Sequence, residues 1–507
     1  MKKKILFSLI LILVFLHPYA WDEDVWSQSF KKISAIVPFI EENYYKEVDH
    51  EELAFSSIRG ILLTLDPHSY FLEPKNLSTL REDYKGKYFG LGIMIQKHAD
   101  LLKVISPLEG TPAYRLGIQP GDVISHIEGE STKPITSFQA MQKLRGKKGT
   151  KITITITREG LDEPMDITIT RAEIPLYSVP YAFMLQDNIG YIFIRNFAET
   201  TTKEFREKMT LLEKLGMQKL ILDFRGNGGG TFLQSLEITD EFLPKGDMIV
   251  SIRGRKKYYS QEFRASQNDQ YEHIPLIILI SQGTASAPEI VSGAIQDHDR
   301  GLIIGQDSWG KGLVQTVFPL SKEAAVAITT ARYYTPSGRS IQRDYTYLED
   351  YRLKRDEPEE REVKYTDGGR KVLGQGGISP DYKVELSYKP LTYMLLLRGA
   401  VFSYGRKFAE KQTSLSRELM KDEVIDRSFE VNSRVFEDFK AHLEKVGISF
   451  KPEDFEESKD ELKRELEREI FSSIWGIEEG MKVFRQSDPL IQKAIDVFPQ
   501  AEKLIHK

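Results

Sequence analysis

The chain contains no cysteine. That excludes disulfides, thiolate metal sites, a cysteine nucleophile and a lipid-modified N-terminal Cys. It has no His-Glu-x-x-His motif and no dense His/Asp cluster, so no metal site is expected. No Gly-Lys-Ser/Thr follows its glycine-rich loop, which argues against a nucleotide phosphate cradle. A strong basic stripe is also missing, and the formal net charge is -5. Nucleic acid is therefore not expected as a partner. There is no internal repeat and no low-complexity tract.

What is present is ample material for several cores. At 507 residues the length alone suggests three or four domains. Hydrophobic residues at 40% and charged residues at 29% are ordinary for a folded soluble protein. The first 20 residues read as a signal peptide. Lys2, Lys3 and Lys4 form a basic start, and Ile5 to Leu16 form an apolar stretch too short for a comfortable span. Ala20 closes a cleavage site, although Pro18 is poor for the slot upstream. The alternative is an uncleaved anchor helix that keeps the protein at the membrane. Either way the expected location is exported, periplasmic or on the outer face of the cytoplasmic membrane.

Residues 21–83 read as an N-terminal helical region. Phe30, Ile33, Val37 and Ile40 recur at spacings of three and four, and Leu65-Asp66-Pro67-His68-Ser69-Tyr70 breaks the pattern with turn chemistry. Residues 84–172 are strand-rich. Candidate strands are Leu91 to Gln96, Leu101 to Ser106, Val123 to Glu128, Lys151 to Arg158 and Met165 to Arg171, with one helix over Ile135 to Leu144. Residues 173–390 alternate strand and helix, as α/β folds do. The strands there are Gly190 to Ile194, Lys219 to Phe224, Leu276 to Ser281, Leu302 to Ile304 and Ala325 to Thr330. The helices are Lys203 to Leu215, Phe232 to Phe242 and Pro288 to Gln296. Residues 343–376 are charged and read as a surface insertion. The chain from 391 to 507 reads as a helical extension. Val431, Val435, Phe439, Leu443 and Val446 form one stripe; Leu462, Leu466, Ile470 and Ile474 form another. These stripes either pack on the protein itself or build a dimer interface.

Chemistry concentrates at Ser286. A buried strand, Leu276 to Ser281, leads through small residues to a helix with Pro288 in its first turn. Ser286 therefore sits beside free helix N–H groups, a position suited to a nucleophile with an oxyanion donor at Ala287. The same residues also read as a capping box with Glu289 at N3. A serine nucleophile needs a base. His298 lies at the far end of the same helix, roughly 15–18 Å away at 1.5 Å per residue, and His273 at the opposite end of the strand. Lys311, between Gly310 and Gly312, is the alternative, since burial lowers an ammonium pKa; its plain reading is an exposed turn lysine. Asp223-Phe224-Arg225-Gly226-Asn227-Gly228-Gly229-Gly230 follows another strand and offers a second oxyanion donor, or a plain strand-to-helix turn.

Together these residues resemble the carboxy-terminal processing peptidases, also called tail-specific proteases. The matching stretches are Gly283 to Ile290, Gly310 to Gln315, the glycine loop Asp223 to Gly230, Tyr334 to Arg339, Gly377 to Asp381 and Leu65 to Tyr70. The resemblance implies Ser286 as nucleophile, Lys311 as base and Gln315 as the residue orienting it. On a strand, Lys311 and Gln315 would share a face. It implies backbone N–H groups near Gly229 and Ala287 as the oxyanion hole; Gly228 stands where a proline is common, which leaves the choice within Gly228 to Gly230 open. Residues 84–172 are similar to a PDZ domain, with Phe89, Gly90, Leu91, Gly92 and Ile93 as its carboxylate-binding loop. Such domains add a peptide strand to a sheet edge. Arg145 is the candidate link between that domain and the active site, or else a solvated surface charge.

The fold expected is a multidomain α+β chain. It has a crotonase-like α/β peptidase core, an inserted strand-rich PDZ domain and helical ends. The function expected is endoproteolysis of protein or peptide substrates with free C-termini, by a Ser-Lys dyad and without a cofactor. A homodimer or an adaptor protein stays open as partner. A Ser-Lys amidase for small molecules and a non-catalytic PDZ scaffold are the rival readings.

Overall fold

The computed structural model describes residues 23–505 except 99, 109, 159–160, 162, 187, 267–269, 346–360, 386 and 421–424. The expected signal peptide lies outside the described residues. The chain divides into two compact units between Leu65 and Asp66. The first unit contains the helices Glu23–Asn43 and His50–Leu63. Asp49 caps the second by accepting the Glu51 and Glu52 N–H groups at 2.9 and 3.0 Å, which satisfies two orphan donors of its first turn. Phe30 and Phe39 on the first helix are exposed.

The second unit is built around a six-stranded sheet. Its order is Tyr181–Met184, Ile189–Phe193, Lys219–Asp223, Leu276–Ile280, Leu302–Gly305 and Tyr382–Lys383; the first pair is antiparallel and the rest parallel. Leu276–Ile280 is buried throughout because both faces are covered, which is why it reads as a continuous apolar run. Leu276, Ile278 and Ile280 pack with the helices Thr201–Lys214, Phe232–Asp240 and Ala287–Asp297. Ile277 and Leu279 face the other way, onto Leu490, Ala494, Val497 and Phe498 of the C-terminal helix Pro489–Ile505.

A second, antiparallel sheet carries the strands Tyr70–Leu72, Ala325–Tyr334, Met248–Gly254 and Gln261–Arg264 in that order. Leu313–Pro319 also pairs with Ala325–Tyr334. The short strand Tyr70–Leu72 brings the 66–70 turn from far upstream to this sheet.

The strand-rich insert folds on its own core of Leu102, Val104, Ile124, Ile152, Ile154, Ile156 and Ile169. Its sheet runs Ile93–His98, Leu101–Pro107, Val123–Ile127, Lys151–Thr157 and Met165–Thr170, with Glu130–Ser131 off the Val123–Ile127 edge. The entering strand Lys87–Gly90 and the leaving strand Ala172–Pro175 pair with each other, closing the insert at its root.

Within the charged 343–376 segment, read as a surface insertion, Val363–Tyr365 and Lys371–Leu373 form a hairpin. Arg370 Nη1 pairs with Asp381 at 2.6 Å, and Val372 is buried. Residues 346–360 of that segment lie outside the described residues. Val446 leaves the first C-terminal stripe: it follows the end of its helix and is exposed, while Val431, Val435, Phe439 and Leu443 are buried with Leu462, Leu466 and Ile470 in one core.

Candidate active site

One cavity of about 610 Å³ is lined by Ser286, Ala287, Lys311, Gln315 and Gly228 to Gly230 together. Three separate loops meet there, each from a different part of the fold. Ser286 stands at the turn between the buried strand and the helix Ala287–Asp297, with φ 66° and ψ -114°. A non-glycine residue in that region is strained by about 1–3 kcal/mol. The surroundings hold it there. Its N–H donates to Glu289 Oε2 at 2.7 Å, and its carbonyl accepts the Glu289 N–H at 2.9 Å.

The glycine loop presses on this turn. A Cβ on Gly229 would lie 2.9 Å from Ser286 Cβ, and one on Gly230 would lie 2.0 Å from the Phe197 carbonyl oxygen. With φ of 105° and 148°, both positions require glycine. The Gly229 N–H donates to Asn227 Oδ1 at 2.9 Å, so the expected donor is occupied in this state. The adjoining bridge to Phe197 uses the Gly229 carbonyl and the Thr231 N–H, which leaves the Gly230 N–H out of it.

Lys311 is half-buried, and burial holds its pKa below the usual lysine range, while Glu289 and Asp66 oppose that shift. Among the described residues, no hydrogen bond joins the Ser286 hydroxyl to the Lys311 amine. The strand after the lysine begins only at Leu313 and carries a bulge between Val314 and Gln315. The shared-face argument for Lys311 and Gln315 therefore does not apply, since a bulge changes the alternation. Both side chains nevertheless line the cavity.

Sequence reasoning took Glu289 for a cap and missed its reach. The carboxylate is fully buried and accepts four hydrogen bonds: Ser286 N–H at 2.7 Å, Ser308 Oγ at 2.5 Å, Gly310 N–H at 2.7 Å and Lys311 N–H at 3.0 Å. It fastens the Ser286 turn to the Lys311 turn. Tyr333, also buried, donates its hydroxyl to the Lys311 carbonyl and lies 3.4 Å from the Ser286 carbonyl. His68 sits close enough to Lys311 for the two to interact; burial and that cation push its pKa down to about 4. It is thus neutral near pH 7, and its place in the turn next to Asp66 was not read as part of the site.

Of the five expected carboxylate-loop residues, Phe89 and Gly90 lie on the entering strand Lys87–Gly90, Leu91 is buried, Gly92 has φ 78° and Ile93 opens the next strand. Arg145 is not a solvated charge. It pairs with Glu82 at 2.7 Å and stacks over the Tyr88 ring at 4.4 Å. Glu82 belongs to the helix Pro74–Lys85, whose Leu80, Asp83 and Tyr84 line the Ser286 cavity.

The family model described as peptidase family S41 matches residues 188–349, and a PDZ domain model matches residues 103–158. A carboxy-terminal-processing protease of Bartonella bacilliformis is 43% identical over 298 residues, covering 58% of this chain and 68% of that protein. The chain belongs to peptidase family S41. It is a serine-type peptidase with a PDZ domain. Carboxy-terminal processing protease CtpA of Bacillus subtilis is 33% identical over 62% of this chain and 66% of its own length. Among solved structures, a photosystem II D1 C-terminal processing protease aligns at 27% identity over 72% of this chain and 89% of that chain, with a TM-score of 0.38. The C-terminal helices of this S41 peptidase lie beyond the matched peptidase segment. Among the described residues, no helix is long and apolar enough to cross a membrane.

Proposed function

We propose that this S41 peptidase is an exported endopeptidase that reads the C-terminal tail of a protein substrate and cuts nearby through an acyl-enzyme. The observation that carries the reading is the meeting of Ser286, Lys311, Gln315, Ala287 and the glycine loop around one cavity. Unprotonated Lys311 takes the Ser286 proton as Oγ attacks the scissile carbonyl. The tetrahedral oxyanion is held by the Ala287 N–H at the helix start and by the glycine loop. Lys311 then returns the proton to the leaving amine, and water attacks the ester by the same steps. The Ser286–Lys311 hydrogen bond forms in the substrate complex, since catalytic hydrogen bonds are often long without substrate.

The PDZ domain serves as the tail reader, with Phe89 to Ile93 presenting backbone N–H groups to the terminal carboxylate. Arg145, bridged to the cavity-lining helix through Glu82, reports tail occupancy to the active site. The peptidase core is read as crotonase-like, from its parallel sheet with the nucleophile at a strand-to-helix turn. Export rests on the basic and apolar pattern of the first 20 residues. Mass spectrometry of products from an unfolded, tailed substrate tests the reading. The wild type should release discrete internal fragments and Ser286→Ala none; identical fragments from both would overturn it.

A further inference from the structure

The Asp66 turn lies about 245 residues upstream of Lys311 and Gln315 yet is built into the site. Asp66 Oδ1 accepts the His68 and Ser69 N–H groups at 2.7 and 2.8 Å, and Oδ2 accepts the Ser69 hydroxyl at 2.9 Å. The turn is locked to the second sheet, because the Thr329 N–H donates to Ser69 Oγ at 3.1 Å. The Thr329 hydroxyl donates to Asp66 Oδ1 at 3.1 Å and accepts from Gln315 Nε2 at 3.3 Å.

Directions matter in this chain. The Thr329 hydroxyl has one proton, and it is committed to Asp66 Oδ1. The Thr329 oxygen can then only accept from Gln315. An amide's orientation is settled by its partners; here the NH2 group is drawn to Thr329, and the carbonyl oxygen is left to accept in the cavity that Lys311 also lines. Without the Thr329 hydroxyl the amide could turn over and present N–H donors to an amine that must itself donate.

We propose that Asp66 and Thr329 are positioning residues for the base: they set which end of the Gln315 amide meets Lys311. The proposal rests on the reading of Lys311 as base and Gln315 as its orienting partner. It assigns a positioning role to Asp66 in the 66–70 turn, whose Tyr70 lines the same cavity as Ser286.

The test is a cycle of Thr329→Val, Thr329→Ser and Gln315→Ala on the full chain, assayed for kcat and KM with a tailed polypeptide. Ser286→Ala and Lys311→Ala are run alongside. Val keeps the volume and loses the hydroxyl; Ser keeps the hydroxyl. Thr329→Val should lower kcat on the order of 10- to 100-fold, the scale of a misplaced catalytic group, with KM little changed. Thr329→Ser should recover most of that loss. In the Gln315→Ala background, Thr329→Val should cost nothing further, which a loss through general destabilisation would not reproduce. Unchanged kcat in Thr329→Val, or losses that multiply in the double variant, would overturn the proposal. Turnover by Ser286→Ala or Lys311→Ala would instead remove the Ser-Lys reading beneath it.

Discussion

The Ser286 N–H donates to the Glu289 carboxylate at 2.7 Å, and that same carboxylate reaches the Lys311 N–H at 3.0 Å. One buried acid thus sets the spacing of the Ser286 turn and the Lys311 turn. Burial raises the Glu289 pKa, and the four hydrogen bonds it accepts oppose that. Glu289→Ala leaves four donors without their partner. An unsatisfied buried polar group costs about 1–3 kcal/mol, so the variant should show a lower unfolding midpoint and no measurable turnover. Glu289→Gln, which keeps the shape but turns an NH2 toward N–H donors, should fall between. Wild-type kcat in Glu289→Gln would show that the two turns are held by other contacts.

Lys311 carries a predicted pH signature. Burial lowers its pKa, so the neutral amine appears below the ordinary lysine range. With chemistry rate-limiting, kcat/KM should rise with pH through that pKa. Lys311→Arg should be inactive across the range, because guanidinium does not give up its proton.

The same shift has a stability consequence. In the window between the folded pKa and the ordinary value of 10.5 the unfolded chain binds the extra proton. The lysine therefore destabilises the fold at lower pH, and the penalty disappears as pH rises above the unfolded value. Lys311→Met should be inactive yet melt higher than wild type near neutrality, with the difference shrinking as pH climbs toward 10.5. A difference that grows with pH would contradict a depressed lysine.

Much of the core was legible because its strands are buried on both faces. Leu276–Ile280 and Lys219–Asp223 read directly from their apolar runs. Of the second sheet only Ala325–Tyr334 was read as a strand, from Ala325 to Thr330. Tyr70–Leu72 has three residues and acquires its strand character from pairing with Ala325–Tyr334, a partner some 255 residues away. Ser286 and Lys311 were legible through the turns around them. Glu289 was half legible: its place at N3 announced a cap, but the bonds to Ser308 and Gly310 depend on loops that meet only in the fold. Thr329 gave no signal at all, being one polar residue in a strand.

The last helix, Pro489–Ile505, packs directly on the central sheet. Asp488 pairs with Arg225 at 2.8 Å and with Arg485 at 2.8 Å, beside buried Asp223 at the root of the glycine loop. Removing one member of a buried ion pair costs about 3–5 kcal/mol. Asp488→Ala should lower the unfolding midpoint accordingly. Deleting residues 489–507 should abolish soluble folded protein, since Ile277 and Leu279 would lose their cover. A soluble, active truncation would show that the sheet does not need this helix.

The tail reading is tested by changing one group on the substrate. A free terminal carboxylate makes charge-assisted hydrogen bonds, roughly twice as strong as neutral ones. Amidation removes the charge and leaves loop N–H donors poorly paired, which should weaken binding by about 1–3 kcal/mol. The internal cleavage site is chemically unchanged. The wild type should therefore favour the free acid in kcat/KM by that margin. Arg145→Ala should retain tail binding but lose much of the cleavage it triggers, because the bond to Glu82 on the cavity-lining helix is broken. Calorimetric binding of a tail peptide, alongside cleavage of free and amidated substrates, separates the two effects. Equal cleavage of both substrates by the wild type would show that the carboxylate is not read. Full activity in Arg145→Ala would place the coupling elsewhere.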